Sequence, residues 1–145
     1  MVVPGKIDSL PAIARYVQQA AGLAQLDEQA TYRLRLAVDE IAINIITYGY
    51  AAIAAEGSLT LSAELAESCL QIHLEDTGQH FDPCQAQPPD LRTPPEQRTP
   101  GGLGIYLARW GVDQVQYERL PHGNRTTFVV RRRCRQQPDQ ETTPT

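Results

Sequence analysis

At 145 residues, with 41% hydrophobic and 21% charged side chains, the chain has the length and composition of one globular domain, with enough apolar surface for a real core and no room for a second catalytic unit. Thirteen Lys and Arg against 17 Asp and Glu leave a net charge of -4, which argues against a general nucleic-acid binder, because phosphate neutralisation needs a basic face. The one basic run, Arg131 to Arg135, lies beside a polar tail and reads as a solvated strand end.

The three cysteines, Cys69, Cys84 and Cys134, are odd in number and include no Cys-x-x-Cys pair, so neither a disulfide framework nor a zinc site is indicated. No stretch at the start has signal-peptide character, and no window approaches the 18 apolar residues of a membrane span. A soluble protein of the reducing cytoplasm is the expectation.

Taken in chain order, Leu10, Ile13, Val17 and Ala21 recur every three or four residues and predict an amphipathic helix from Asp8 to about Ala24. Asp8 or Ser9 is available as its N-cap, and Pro11 is tolerated in its first turn. Asp27 then caps a longer helix whose stripe of Leu34, Val38, Ile41, Ile45 and Tyr48 marks a buried face, ending at Gly49. From residue 58 to 76 the period changes to two. Leu59, Leu61, Ala63 and Leu65, then Leu70, Ile72 and Leu74, predict a β-hairpin with one buried face.

Six of the eleven prolines fall between Pro83 and Pro100, which rules out a helix interior or central strand there. A structureless loop of that length inside a small domain is either functional or a disordered insert. A glycine-rich turn at Gly101 opens a short helix through about Trp110. Strands follow around Val115 to Tyr117 and from Thr127 to Arg132, joined by a turn at Pro121-His122-Gly123-Asn124. Residues 136 to 145 read as a disordered tail, which leaves a single domain over 1–135. The order of elements predicts an α+β fold, a two-layer sandwich with helices on one face of a mixed, largely antiparallel sheet.

Three motifs carry chemistry. Glu40 and Asn44 stand four residues apart on the second helix and share a face. They are either a solvated polar pair, or a base beside an amide oxygen offered to a Mg²⁺ whose other ligands are phosphate and water. Asp76-Thr77-Gly78 ends the hairpin, and is either an Asx turn or a carboxylate fixed to accept the amino group of adenine, with Gly78 letting the base approach. Gly101-Gly102-Leu103-Gly104 is either a plain turn or a run of free N–H groups that cradles phosphates at a helix N-terminus. It lacks the Lys-Ser/Thr of a Walker loop.

In this order, Glu-x-x-x-Asn, Asp-x-Gly, a long lid over about 82–101 and Gly-Gly-Leu-Gly opening a helix resemble the GHKL (Bergerat) ATP-binding fold. Residues 34–50 and 102–109 are similar to the ATP-binding boxes of the anti-sigma-factor serine kinases, and the similarity covers about residues 5 to 133. The resemblance implies a general base at Glu40, a magnesium ligand at Asn44 and an adenine-recognising acid at Asp76. It also implies phosphate-loop glycines at Gly102 and Gly104, and an adenine pocket completed by Gly78 and by Thr126 or Thr127. The implied activity is transfer of the ATP γ-phosphoryl group to a serine of an anti-sigma-factor antagonist protein, by a homodimer that alternately binds a sigma factor.

The family usually has His where this chain has Tyr48, and the lid is unusually rich in proline. Arg92 and Arg98 are either solvated or within reach of the phosphates, and His73, His80 and His122 receive no role. A module that sequesters a partner without phosphorylating it needs only Asp76 and the glycines. The ATPase part of a histidine kinase is disfavoured, because no helix with a phosphoacceptor His is expected ahead of the domain.

Overall fold

The computed structural model describes residues 1–50, 56–85, 90, 92–97 and 102–133. The first helix, α1 (Leu10–Leu23), follows a 3₁₀ turn over Ile7–Ser9 and carries Pro11 in its first turn. Ser9 stands at its N-cap but makes no cap bond; its hydroxyl donates instead to the Pro4 carbonyl at 2.7 Å. The second helix, α2 (Glu28–Asn44), starts as expected on Asp27, whose carboxylate accepts from the Ala30 N–H at 2.7 Å.

Five strands, β1 (Val2–Pro4), β2 (Ser58–Leu65), β3 (Cys69–Asp76), β4 (Gln114–Leu120) and β5 (Gly123–Arg131), form one sheet among the described residues, in the order β1-β2-β3-β5-β4. Every pairing is antiparallel. A third helix, α3 (Gly102–Gly111), lies against α2. The core sits between helices and sheet: Ile13 and Val17 of α1 and Leu34, Val38 and Ile41 of α2 face Leu59, Leu61, Leu70, Ile72, Leu74 and Phe128. Each such side chain removed from water contributes about 1.5–3 kcal/mol, so the apolar stripe of α2 holds that helix, and the polar residues beside the stripe, in one orientation.

The structure departs from the sequence expectations in five places. Strand β1 was not anticipated, because three residues are too few to show a period; it is held by pairing Val2 with Thr60 and Val3 with Leu59. The stripe of α2 does not run on to Tyr48. From Ile45 to Gly49 the helix widens into a π turn, with the Tyr50 N–H reaching the Ile45 carbonyl five residues back. The extra residue shifts the phase, leaving Tyr48 53% exposed and bringing Tyr50 into the core at 5%.

On β2, Ala63 and Leu65 are exposed, because the helix layer covers all of β3 but only the first half of β2. Strand β5 begins at Gly123, four residues earlier than the apolar pattern indicates, since its first inward-facing residues, Asn124 and Thr126, are polar yet buried. Finally, the proline-rich segment is not structureless: it contains 3₁₀ turns at Pro83–Gln85 and Pro95–Gln97. Pro83 is buried, and the Cys84 thiol reaches the Val115 carbonyl at 3.3 Å, which ties the start of the segment to β4.

Candidate functional site

The inward face of the sheet carries apolar residues until its edge near the end of α2, where Asp76 replaces them. Asp76 is 5% exposed and continues the inward register of Leu70, Ile72 and Leu74. Its Oδ1 accepts two hydrogen bonds, from the Gly78 N–H at 2.8 Å and from Asn124 Nδ2 at 3.0 Å. Burial pushes its carboxyl above the ordinary range, and the bonds from Asn124 and Gly78 pull it part of the way back. An Asx turn and a fixed carboxylate are therefore both present: the turn occupies one oxygen only.

The glycines around Asp76 are there for space. Gly123 has φ +151°, and a Cβ on it would lie 1.8 Å from the Asp76 carbonyl oxygen, so β5 enters the sheet against the end of β3 only as glycine. At Gly78 a Cβ would stand 3.0 Å from Asp76 Oδ1 and 3.2 Å from the carbonyl carbon of Gly49. The space that the sequence assigned to a bound base is thus bordered by the π turn, and the Gln79 N–H bonds the Gly49 carbonyl at 3.1 Å.

Tyr50 completes this corner. Its hydroxyl donates to the Ser58 carbonyl at 2.5 Å and accepts from the Thr77 N–H at 3.3 Å. Its ring lies between Gly5 and Gly57, where a Cβ would come within 2.4 Å and 1.9 Å of ring carbons. The residue after the π turn thereby pins β1, β2 and the Asp76 turn together.

Glu40 and Asn44 lie on α2 where it meets α3. A Cβ on Gly104 would fall 2.2 Å from Glu40 Oε2, so the carboxylate of Glu40 rests on the bare α-carbon of Gly104, within the first turn of α3. That is the positive end of the helix dipole, favourable for a carboxylate. One turn further along α2, Asn44 Nδ2 is buried without a hydrogen-bond partner, as is Asp39 Oδ1 beside Glu40. A buried amide lacking an acceptor fits a ligand rich in oxygen. No group of three or more His, Cys, Asp or Glu among the described residues is arranged to hold a metal. The unpartnered Nδ2 suits a phosphate oxygen, whereas a Mg²⁺ would be held by Asn44 Oδ1, with its remaining ligands from phosphate and water, as this ion commonly has. Asp39 is pushed above the usual carboxylate range by burial, opposed by Arg35 3.8 Å away and reinforced by Glu40.

The two candidate threonines separate. Thr126 pairs with Leu74 and lies on the face of Asp76, whereas Thr127 pairs with His73 on the opposite face and contacts His73 Nδ1 at 2.8 Å. Thr127 is therefore withdrawn from the site by the two-residue period of the strand. Gly102 opens α3 beside Gly104 and Leu103, while Gly101, Arg98 and residues 136–145 lie outside the described residues. Arg92 is exposed in the proline-rich segment. A cleft of about 320 Å³ lined by Ser58, Thr60, Glu75 and His122 meets Asp76 from behind, on the face turned away from the helices.

Asn124, Tyr117 and His80 were missed by sequence reasoning. The sequence places Asn124 in a turn and Tyr117 on a strand, with nothing to set either apart. The available signal was weak: a polar residue where strand alternation wants an apolar one.

The model of the histidine kinase-like ATPase domain family matches residues 3–130. Over 98 residues the chain is 27% identical to the serine/threonine-protein kinase BtrW of Bordetella bronchiseptica, covering 68% of each chain. Among solved structures, the histidine kinase domain of the Erythrobacter litoralis blue-light activated histidine kinase EL346 superposes with a TM-score of 0.53 at 15% identity, over 83% of this chain and 58% of that one. The longer structure of the same kinase gives 0.52 at 14%, over 81% and 40%. The chain thus spans between two-fifths and three-fifths of those structures, which share its fold. No helix among the described residues is long and apolar enough to cross a membrane.

Proposed function

The chain belongs to the histidine kinase-like ATPase domain family, and from that premise we propose that it binds ATP and acts as a serine-protein kinase of the anti-sigma-factor type. One observation above all supports the reading: the carboxylate of Glu40 rests on Gly104 in the first turn of α3, one turn along α2 from the unpartnered amide of Asn44. A base, a polar ligand and a run of free helix N–H groups together suit the triphosphate end of a nucleotide. The Asp76 carboxylate, at the far side of the π turn, suits its base.

In the proposed reaction the Oγ of a substrate serine bonds to the γ-phosphorus of ATP, the bond from that phosphorus to the β–γ bridging oxygen breaks, and ADP leaves. Glu40 accepts the hydroxyl proton. The N–H groups of the first turn of α3, near Gly102, Leu103 and Gly104, would face the phosphates, and Gly101, which precedes them in the sequence, belongs to the same proposed loop. Asn44 would hold a Mg²⁺ through its side-chain oxygen, and the ion would supply charge neutralisation at the phosphates. Asp76, Gly78 and Thr126 bound the adenine. The substrate is the serine of an anti-sigma-factor antagonist protein, a sigma factor is the alternate partner, and the working unit is a homodimer. A reducing cytoplasm suits the free thiols of Cys69 and Cys84.

The test is transfer of the γ-label of ATP to an antagonist protein encoded beside this chain. Glu40→Gln is expected to retain ATP binding and lose at least a hundredfold in transfer; full transfer by that variant sinks the assignment. A second function, sequestration of a partner without phosphorylation, is favoured by Tyr48, which stands 53% exposed at a position that resembles one where the kinases usually carry histidine. Nucleotide-dependent partner binding with no label transfer would select it.

A further inference from the structure

We propose that Asn124 and Tyr117 are positioning residues that leave one oxygen of Asp76 free and thereby make the pocket select a purine bearing an amino group over one bearing a carbonyl; this rests on the nucleotide-site reading above. Asn124 is 3% exposed, and its amide has one possible orientation. Nδ2 faces three acceptors, Asp76 Oδ1 at 3.0 Å, the Gln79 carbonyl at 3.2 Å and the Gly78 carbonyl at 3.4 Å. Oδ1 accepts from the Tyr117 hydroxyl at 2.6 Å. Reversing the amide would set its oxygen against a carboxylate and two carbonyls.

The chain of bonds continues outward. Tyr117 has one proton, and it is given to Asn124, so its contact with His80 Nδ1 requires the imidazole to donate. The two rings lie 5.4 Å apart, tilted by 56°. From His80 through Tyr117 and Asn124, every donor points toward Asp76.

The consequence lies in what remains unbonded. With the Gly78 N–H and Asn124 both on Oδ1, no described group donates to Oδ2. On a residue only 5% exposed, a carboxylate oxygen that lacks a donor accepts one from a ligand seated against it and repels a ligand acceptor, because the bound ligand shuts out the water that would otherwise pair with it. The 6-amino group of a purine satisfies it, and a 6-oxo group in the same place, an acceptor, does not. Releasing Asn124 lets the carboxylate turn, and the distinction weakens.

The experiment is calorimetric titration with ATP and with ITP, both with Mg²⁺, on wild type, Asp76→Asn, Tyr117→Phe and Asn124→Ala, with the unliganded melting temperature of each. Wild type is expected to prefer ATP by about tenfold or more. Tyr117→Phe removes only a hydroxyl from a partly exposed ring and is expected to fold as wild type. Its preference, and that of Asn124→Ala, is expected to fall severalfold. An unchanged ATP-to-ITP ratio in folded Tyr117→Phe, with ATP binding lost in Asp76→Asn, overturns this inference and leaves the nucleotide site standing. Wild type that binds neither nucleotide overturns both. If Asn124→Ala does not fold, Tyr117→Phe decides alone.

Discussion

Asp76 is an ionisable group in a place that penalises its charge. Its folded pKa is raised by burial above the ordinary 3.8, so the native state holds that proton more tightly than the unfolded chain, and this group's contribution to stability falls as the pH climbs from the carboxylate range. Asp76→Asn removes the charge and keeps an oxygen for Gly78 and Asn124. The unliganded variant is therefore expected to melt no lower than wild type at pH 7, with the gap closing toward pH 4. A variant that melts well below wild type at pH 7, by an amount that grows in acid, would refute this. Because the same variant is expected to lose ATP, stability and function pull in opposite directions at this residue. Gly104 tests the other end of the site. In Gly104→Ala the new Cβ meets Glu40 Oε2, so phosphoryl transfer is expected to fall at least tenfold, with a loss of about 1–3 kcal/mol in urea unfolding.

Among the elements, the end of α2 decides the most. The helix start was legible because Asp27 and the spacing of Leu34, Val38 and Ile41 are local signals. The π turn was not, since one extra residue per turn leaves composition unchanged and becomes visible only when Tyr48 faces water and Tyr50 the core. Tyr50→Phe deletes the bonds to Ser58 and from Thr77, and is expected to cost about 1–3 kcal/mol, read from urea unfolding. Gly57→Ala drives a methyl into the Tyr50 ring and is expected to cost more. The hairpin of β2 and β3 was legible as far as its period. Its uncovered half was not, because alternation says which face a residue is on and nothing of what lies over it. Asn124 is illegible for a related reason: inward polar residues break the apolar pattern at the place where a site is built.

For the whole molecule, the fold was legible from the order of elements, two helices, a hairpin, a long loop, a helix and a hairpin, and the family model over residues 3–130 agrees with it. Which residues meet was less legible. Glu40 and Asp76 belong to different layers, α2 and β3, and are joined by the turn from Ile45 through Tyr50 to Thr77. The candidate site is a seam between layers, with the core behind it and the proline-rich segment, tied to β4 by Cys84, beginning at its edge. Binding at a seam joins the layers, so a ligand that fits raises the stability of the whole domain. The most direct measurement is thermal unfolding of wild type and Asp76→Asn with ATP, ADP and GTP, each with and without Mg²⁺. At about a hundred times the dissociation constant, ATP with Mg²⁺ is expected to raise the wild-type midpoint by about 5 to 10 °C, with no rise from GTP and none in the variant. A folded wild type whose midpoint no nucleotide moves would contradict the account.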